Sequence, residues 1–139
     1  MAKGKEFKRP PNRKTKRLKV EDSSPPPNYD LHKPVFSFKY MNYGRRCCIS
    51  MFEIDKKSLV MDTLLRFSQL TWKQITNLPR ELGFEKMPPH RFTVSLPRKI
   101  TPEVTILVAR FDDKGGRLAG FRDKDIYHVV LAGKNLYPH

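Results

Sequence analysis

Cysteine is almost missing from this chain of 139 residues: there are two, Cys47 and Cys48, side by side. No third cysteine exists to bridge to either, and the pair fits no zinc-ligand spacing. The expectation is two reduced thiols buried on a strand, which suits a reducing compartment. Long apolar runs are missing too. Nothing approaches the roughly 20 apolar residues of a membrane span, and the charged N-terminal stretch lacks the apolar core of a secretory signal. A cytoplasmic protein with no membrane partner is the expectation. The four histidines are far apart in sequence and lack the short spacing of a local metal motif. There is no glycine-rich phosphate loop, since Gly115-Gly116 suits a turn, and no serine-nucleophile motif. No metal or organic cofactor is expected.

Acidic residues are also scarce. The chain has 28 Lys+Arg against 14 Asp+Glu, a formal net charge of +14. This says nothing about fold, but it attracts polyanions at long range, with nucleic acid, ribosomes and anionic membranes the abundant candidates. The excess has two parts. Residues 1–33 hold ten basic and four acidic residues, and residues 34–139 hold 18 and ten. The body is therefore basic in its own right, as expected of a binding surface rather than a mere tether.

Residues 1–34 read as a disordered, basic, proline-rich arm. They have no apolar period, many charges and the run Ser23-Ser24-Pro25-Pro26-Pro27, so they bury too little to offset their ordering entropy. Within the arm, Arg13, Lys14, Lys16, Arg17 and Lys19 form a basic run. It resembles a nuclear-localisation signal, but an electrostatic arm for phosphates is the simpler reading.

Residues 35–139 read as one small α+β domain. Val35 to Tyr40 and Arg45 to Phe52 are expected to pair as a hairpin around Asn42-Tyr43-Gly44. Phe36, Phe38 and Tyr40 then share one face, a core pattern more than a base-stacking platform. A helix is predicted from an Asp55 cap to about Leu70, with Leu59, Val60, Leu64 and Phe67 on one side. Thr71-Trp72-Lys73-Gln74 is a capping box opening a short second helix. After a polar connection, strands are predicted at Phe92–Leu96, Val104–Phe111, Arg117–Arg122 and Ile126–Leu131. Good turn residues join the later ones into an antiparallel meander. The expected architecture is a twisted antiparallel sheet with the helix pair on one face.

Polar residues gather on the later strands: Arg110, Arg117, Arg122 and His128, with Tyr137 and His139 beyond. Arginine suits phosphate because its planar fork gives charged, bidentate hydrogen bonds. Each arginine alone is equally a solvated strand end. His128 shares a strand face with Ile126 and Val130, so it is either a satisfied core histidine or part of a groove. His90, in a loop after two prolines, is a weaker candidate for acid–base work.

The helix pair followed by antiparallel strands is similar to the RelE/ParE-type toxins of bacterial toxin–antitoxin systems. The closing segment Gly116 to Leu131, with Tyr137 near the end, resembles that family's final hairpin and C-terminal aromatic. The likeness spans residues 35–139. It implies a metal-independent endoribonuclease acting on mRNA or at the ribosome, with an acidic antitoxin as partner. The 2′-hydroxyl would attack the adjacent phosphate. The resemblance assigns Arg110 and Arg122 to the phosphate, and His128 or Tyr137 to proton transfer. Arg117 and the basic run of the arm would hold the nucleic acid. The chain departs from the family in its arm, its opening hairpin and the absence of a basic run before Tyr137. Two other readings stand beside this one: a non-catalytic RNA-, DNA- or ribosome-binding protein of a phage or mobile element, and an adaptor for an acidic protein.

Overall fold

The strongest local signal, the β-branched run before Arg110, forms an interior strand of a sheet. In the computed structural model, which describes residues 27–138, seven elements follow one another. They are β1 (Val35–Ser37), α1 (Ile54–Ser68), α2 (Trp72–Thr76), β2 (Glu85–Met87), β3 (Ile106–Arg110), β4 (Arg117–Asp123) and β5 (Ile126–Gly133). The sheet order is β1-β5-β4-β3-β2. This is an α+β fold. The meander β2-β3-β4-β5 is antiparallel throughout, but the sheet as a whole is mixed, because β1 lies parallel to β5.

The expected opening hairpin does not form. The chain leaves extended pairing after Ser37, and Cys47 has a left-handed φ of 68°, which no strand accommodates. Residues 49–51 are a 3-10 turn instead. Val35, Phe36 and Ser37 pair with Ile126, Tyr127 and His128. Tertiary pairing with β5 thus replaces the local turn. Phe92–Leu96 is not a strand either; Val94 and Leu96 pack as an irregular apolar strip, and the edge strand is Glu85–Met87, in the stretch predicted to be a polar connection. Both edge strands are three residues long, and β2 runs directly into Pro88-Pro89.

The helices begin where their caps allow. α1 starts one residue before the expected Asp55 cap, with Glu53 at the N-cap and Asp55 in the first turn. α2 has the full capping box: the Gln74 N–H donates to Thr71 Oγ1 at 3.2 Å, and the Thr71 N–H to Gln74 Oε1 at 2.9 Å. Val60, Leu64 and Trp72 pack on Phe111, Leu118, Tyr127, Val129 and Ala132. Leu59, expected on that apolar side, is exposed.

The opposite sheet face is covered by irregular chain. Tyr40, Cys47, Phe92, Val94, Leu96, Ile100 and Val104 pack against Ile106, Val108, Ala119, Phe121 and Val130. A bulge between Ala119 and Gly120 marks the centre of the β4–β5 ladder. There a Cβ on Gly120 would overlap the His128 carbonyl, so the bulge requires glycine.

Residues 28–34, counted above with the arm, are tied to the domain. Tyr29–Leu31 is a 3-10 turn capped by Asn28. The Trp72 N–H donates to the His32 carbonyl at 2.9 Å, and Asp30 pairs with Arg122 at 2.8 Å. The ordering comes from partners distant in sequence, which no local period reveals. Arg13, Lys14, Lys16, Arg17, Lys19 and His139 lie outside the described residues.

Candidate nucleic-acid interface

Pleating decides which of the nominated side chains can meet. Ile106 and Val108 belong to the loop-covered face, so Arg110, two residues on, points the same way. Arg110 pairs with Arg117 across β3 and β4, and directly opposite residues share a face. These two arginines therefore come together. Like charges opposite one another destabilise a ladder, and neither joins an ion pair among the described residues. A bound anion would remove that penalty.

Arg122 faces the helices. Its guanidinium lies 4.3 Å from the centroid of the Trp72 ring, Nη2 is 2.8 Å from Asp30 Oδ1, and Nε donates to the Lys124 carbonyl at 2.6 Å. His128 faces the loops, paired opposite Phe121. Its ring is held between Phe121 at 4.8 Å and Tyr40 at 5.0 Å, it is 7% exposed, and Nδ1 has no hydrogen-bond partner. Burial holds its pKa below the usual histidine value; Asp123 opposes this, while Lys39 and Lys99 reinforce it. Tyr137 is buried edge-on against Phe92 at 5.5 Å. Arg122 is thus on the opposite face of the sheet from Arg110 and His128, and Tyr137 lies in the core beyond β5. His90 is exposed in a 3-10 turn.

The cysteines are free, and neither lies on a strand. Cys48 is buried at the N-cap of the 49–51 turn. Burial pushes its thiol up, but hydrogen bonds from the Ser50 hydroxyl and from the Ser50 and Gly44 backbone, with Lys57 nearby, bring it below the ordinary value.

Charge is divided between the two sides of the molecule. The segments that cover the loop face, 38–48 and 88–104, hold six basic residues (Lys39, Arg45, Arg46, Arg91, Arg98 and Lys99) against one acid, Glu103. The helical stretch 53–85 holds five of each sign. The ion pairs of the described residues, His32–Asp125, Arg80–Glu85 and Arg122–Asp30, involve none of the six. Lys39 and Lys99 flank the Tyr40 ring, at 5.3 and 5.9 Å from its centroid.

The loop between β1 and α1 adds features that the predicted hairpin concealed. Tyr43 is 88% exposed and Phe38 45%, so aromatic rings alternate with cations along Phe38–Arg46. A pocket of about 310 Å³ is lined by Asn42, Arg45, Arg46, Thr93 and Ser95 among others. Another, of about 320 Å³, is lined by Phe38, Met41, Tyr43, Cys48, Ile49 and Ser50. The aromatic–basic alternation of 38–46 was visible in the sequence, but reading it as strand and turn hid the exposure of Phe38 and Tyr43. A larger open cleft, about 960 Å³, lies by Trp72, Phe84, Lys86, Lys99, Leu107 and Arg122. Among the described residues no cluster of His, Cys, Asp and Glu could hold a metal ion, and no helix is long and apolar enough to cross a membrane.

No family model, no curated protein and no solved structure matches this chain.

Proposed function

We propose that this chain is a nucleic-acid-binding protein that docks its ligand on the loop-covered face of the sheet, with RNA as the favoured ligand. The observation that carries this reading is the segregation of charge. Six cations and one acid line the loop segments, all six cations are outside the ion pairs, and the helical side is balanced. Unpaired Lys and Arg on one face are the electrostatic footprint of a phosphate backbone. The preference for RNA rests on the resemblance to RelE/ParE-type toxins and on the exposed rings, which suit unpaired bases.

Fluorescence anisotropy with labelled RNA over a salt series tests the proposal. Affinity should fall steeply with salt. Reversing Arg98 and Lys99 to Glu should weaken binding at least tenfold and reduce the salt slope by about two, one unit for each phosphate contact. Reversing Lys56 and Lys57 to Glu on the helical side makes the same change in net charge and should have a much smaller effect. Equal losses from the two pairs, or salt-insensitive binding, would overturn the reading.

Metal-independent RNA cleavage is supported by one observation, the unpartnered Nδ1 of His128, which burial favours in the neutral form a general base needs. Incubating the protein with end-labelled RNA in chelator separates the two: intact RNA supports binding alone, and fragments lost in His128→Gln support cleavage.

A further inference from the structure

The two small pockets share one loop, and consecutive residues serve them in turn. Met41 lines the apolar pocket, Asn42 the basic one and Tyr43 the apolar one again; Arg45, Arg46 and Cys47 line the basic pocket, and Cys48 the apolar one. The same short segment therefore contributes both to a cavity walled almost wholly by carbon and to a cavity whose polar lining is two arginines, an amide and two hydroxyls. Three hydrogen bonds tie the loop in place. The Ala132 N–H donates to the Cys47 carbonyl at 2.9 Å, the Cys48 N–H to the Arg45 carbonyl at 3.1 Å, and the Gly44 N–H to Ser50 Oγ at 3.0 Å.

We infer that this loop is a binding element for one unpaired nucleotide of a single strand, resting on the nucleic-acid reading above. The apolar pocket takes the base against Tyr43 and Phe38, and the basic pocket takes the adjoining phosphate. Chemistry supports the division. A phosphate fits where Arg45 and Arg46 present forked donors beside Thr93 and Ser95, with no acid in the lining. A nucleobase fits an apolar slot with aromatic walls, and such stacking tolerates any base. A duplex keeps its bases stacked inside and presents none to the slot, so the element selects single strands.

Four labelled 12-mers test this by anisotropy on the full chain: oligouridine, the same strand with four central abasic sites, an RNA duplex, and the deoxy counterpart. The deoxy strand tells which polymer supplies the nucleotide. The wild type should bind oligouridine about tenfold tighter than the abasic strand, the lower part of the range expected for a stacked base. Tyr43→Ala, a change at a fully accessible ring, should remove most of that difference and leave abasic binding as it was. Arg46→Gln should weaken binding to both strands and lower the salt slope by about one. Equal wild-type binding of natural and abasic strands, an unchanged affinity in Tyr43→Ala, or duplex binding as tight as oligouridine would overturn the nucleotide element while the basic surface stands. Failure to bind any of the four overturns both readings.

Discussion

Arg122 spans Asp30 and Trp72: one end of its guanidinium is 2.8 Å from the carboxylate, and its centre is 4.3 Å from the centroid of the indole. The Trp72 indole N–H also donates to the Asp125 carbonyl at 3.1 Å. The three residues clasp the N-terminal turn and α2 to the end of the β4–β5 hairpin.

Arg122→Ala should therefore lower stability, by about 1–2 kcal/mol, since a partly desolvated cation–π contact and a salt bridge are lost together. Arg122→Lys should recover part of it, because lysine keeps the charge but not the planar stack. Urea denaturation measures both. An alanine variant as stable as wild type would show that the clasp contributes nothing.

The buried ring of His128 makes stability depend on pH in a defined direction. Its folded pKa is depressed, so the unfolded chain takes up a proton first as pH falls. The contribution is fully present above the ordinary histidine value of about 6.5 and is lost as pH falls from there through the folded value. His128→Phe keeps the ring between Tyr40 and Phe121 and removes the unpartnered nitrogen. The variant should have a flatter Tm profile between pH 5 and 7, and at pH 7 it should be at least as stable as wild type, because the buried unsatisfied atom costs about 1–3 kcal/mol. Parallel profiles for the two proteins would contradict this.

Gly120→Ala should be among the most damaging small changes in the domain. The added methyl meets the His128 carbonyl and comes within 3.0 Å of the Tyr127 ring. A loss of roughly 2–3 kcal/mol is expected for such overpacking, seen as a lower urea midpoint. Gly44→Ala, where no atom lies within 4 Å but φ is +74°, tests backbone strain alone and should cost less.

Deleting residues 1–22 should leave the urea midpoint unchanged, because among the described residues the ties to Asp125, Arg122 and α2 come from Asp30, His32 and Val35. The same deletion removes nine basic residues and should reduce the salt dependence of RNA binding by several units of slope. An unchanged slope would mean that the folded face makes all the phosphate contacts.

Sequence served best where local chemistry decides structure. The capping box at Thr71, the turn at Asp112-Asp113-Lys114-Gly115-Gly116 and the alternation of β3 to β5 could all be read from neighbouring residues. It served worst where a distant partner decides. Phe36, Phe38 and Tyr40 carry a perfect strand alternation, yet only the first stays in the sheet, because β5 offers partners to Val35–Ser37 and to nothing beyond. Glu85–Met87 has no strand signal and becomes one by pairing with β3. The site followed the same division. That Arg110 and Arg117 face one way needs only the hairpin; that Arg122 turns to Trp72, or that Arg45 and Arg46 flank Thr93 and Ser95, needs contacts across tens of residues.

The three-residue edge strands limit how any partner can engage this sheet. One edge stops at Ser37, and the other ends against two prolines that have no N–H to offer. Neither presents a row of backbone donors and acceptors long enough to template an added strand. Recognition by main-chain β-augmentation is thereby disfavoured, and the nucleic acid proposed above would be held through side chains. The same blunted edges disfavour edge-to-edge pairing between copies of this chain.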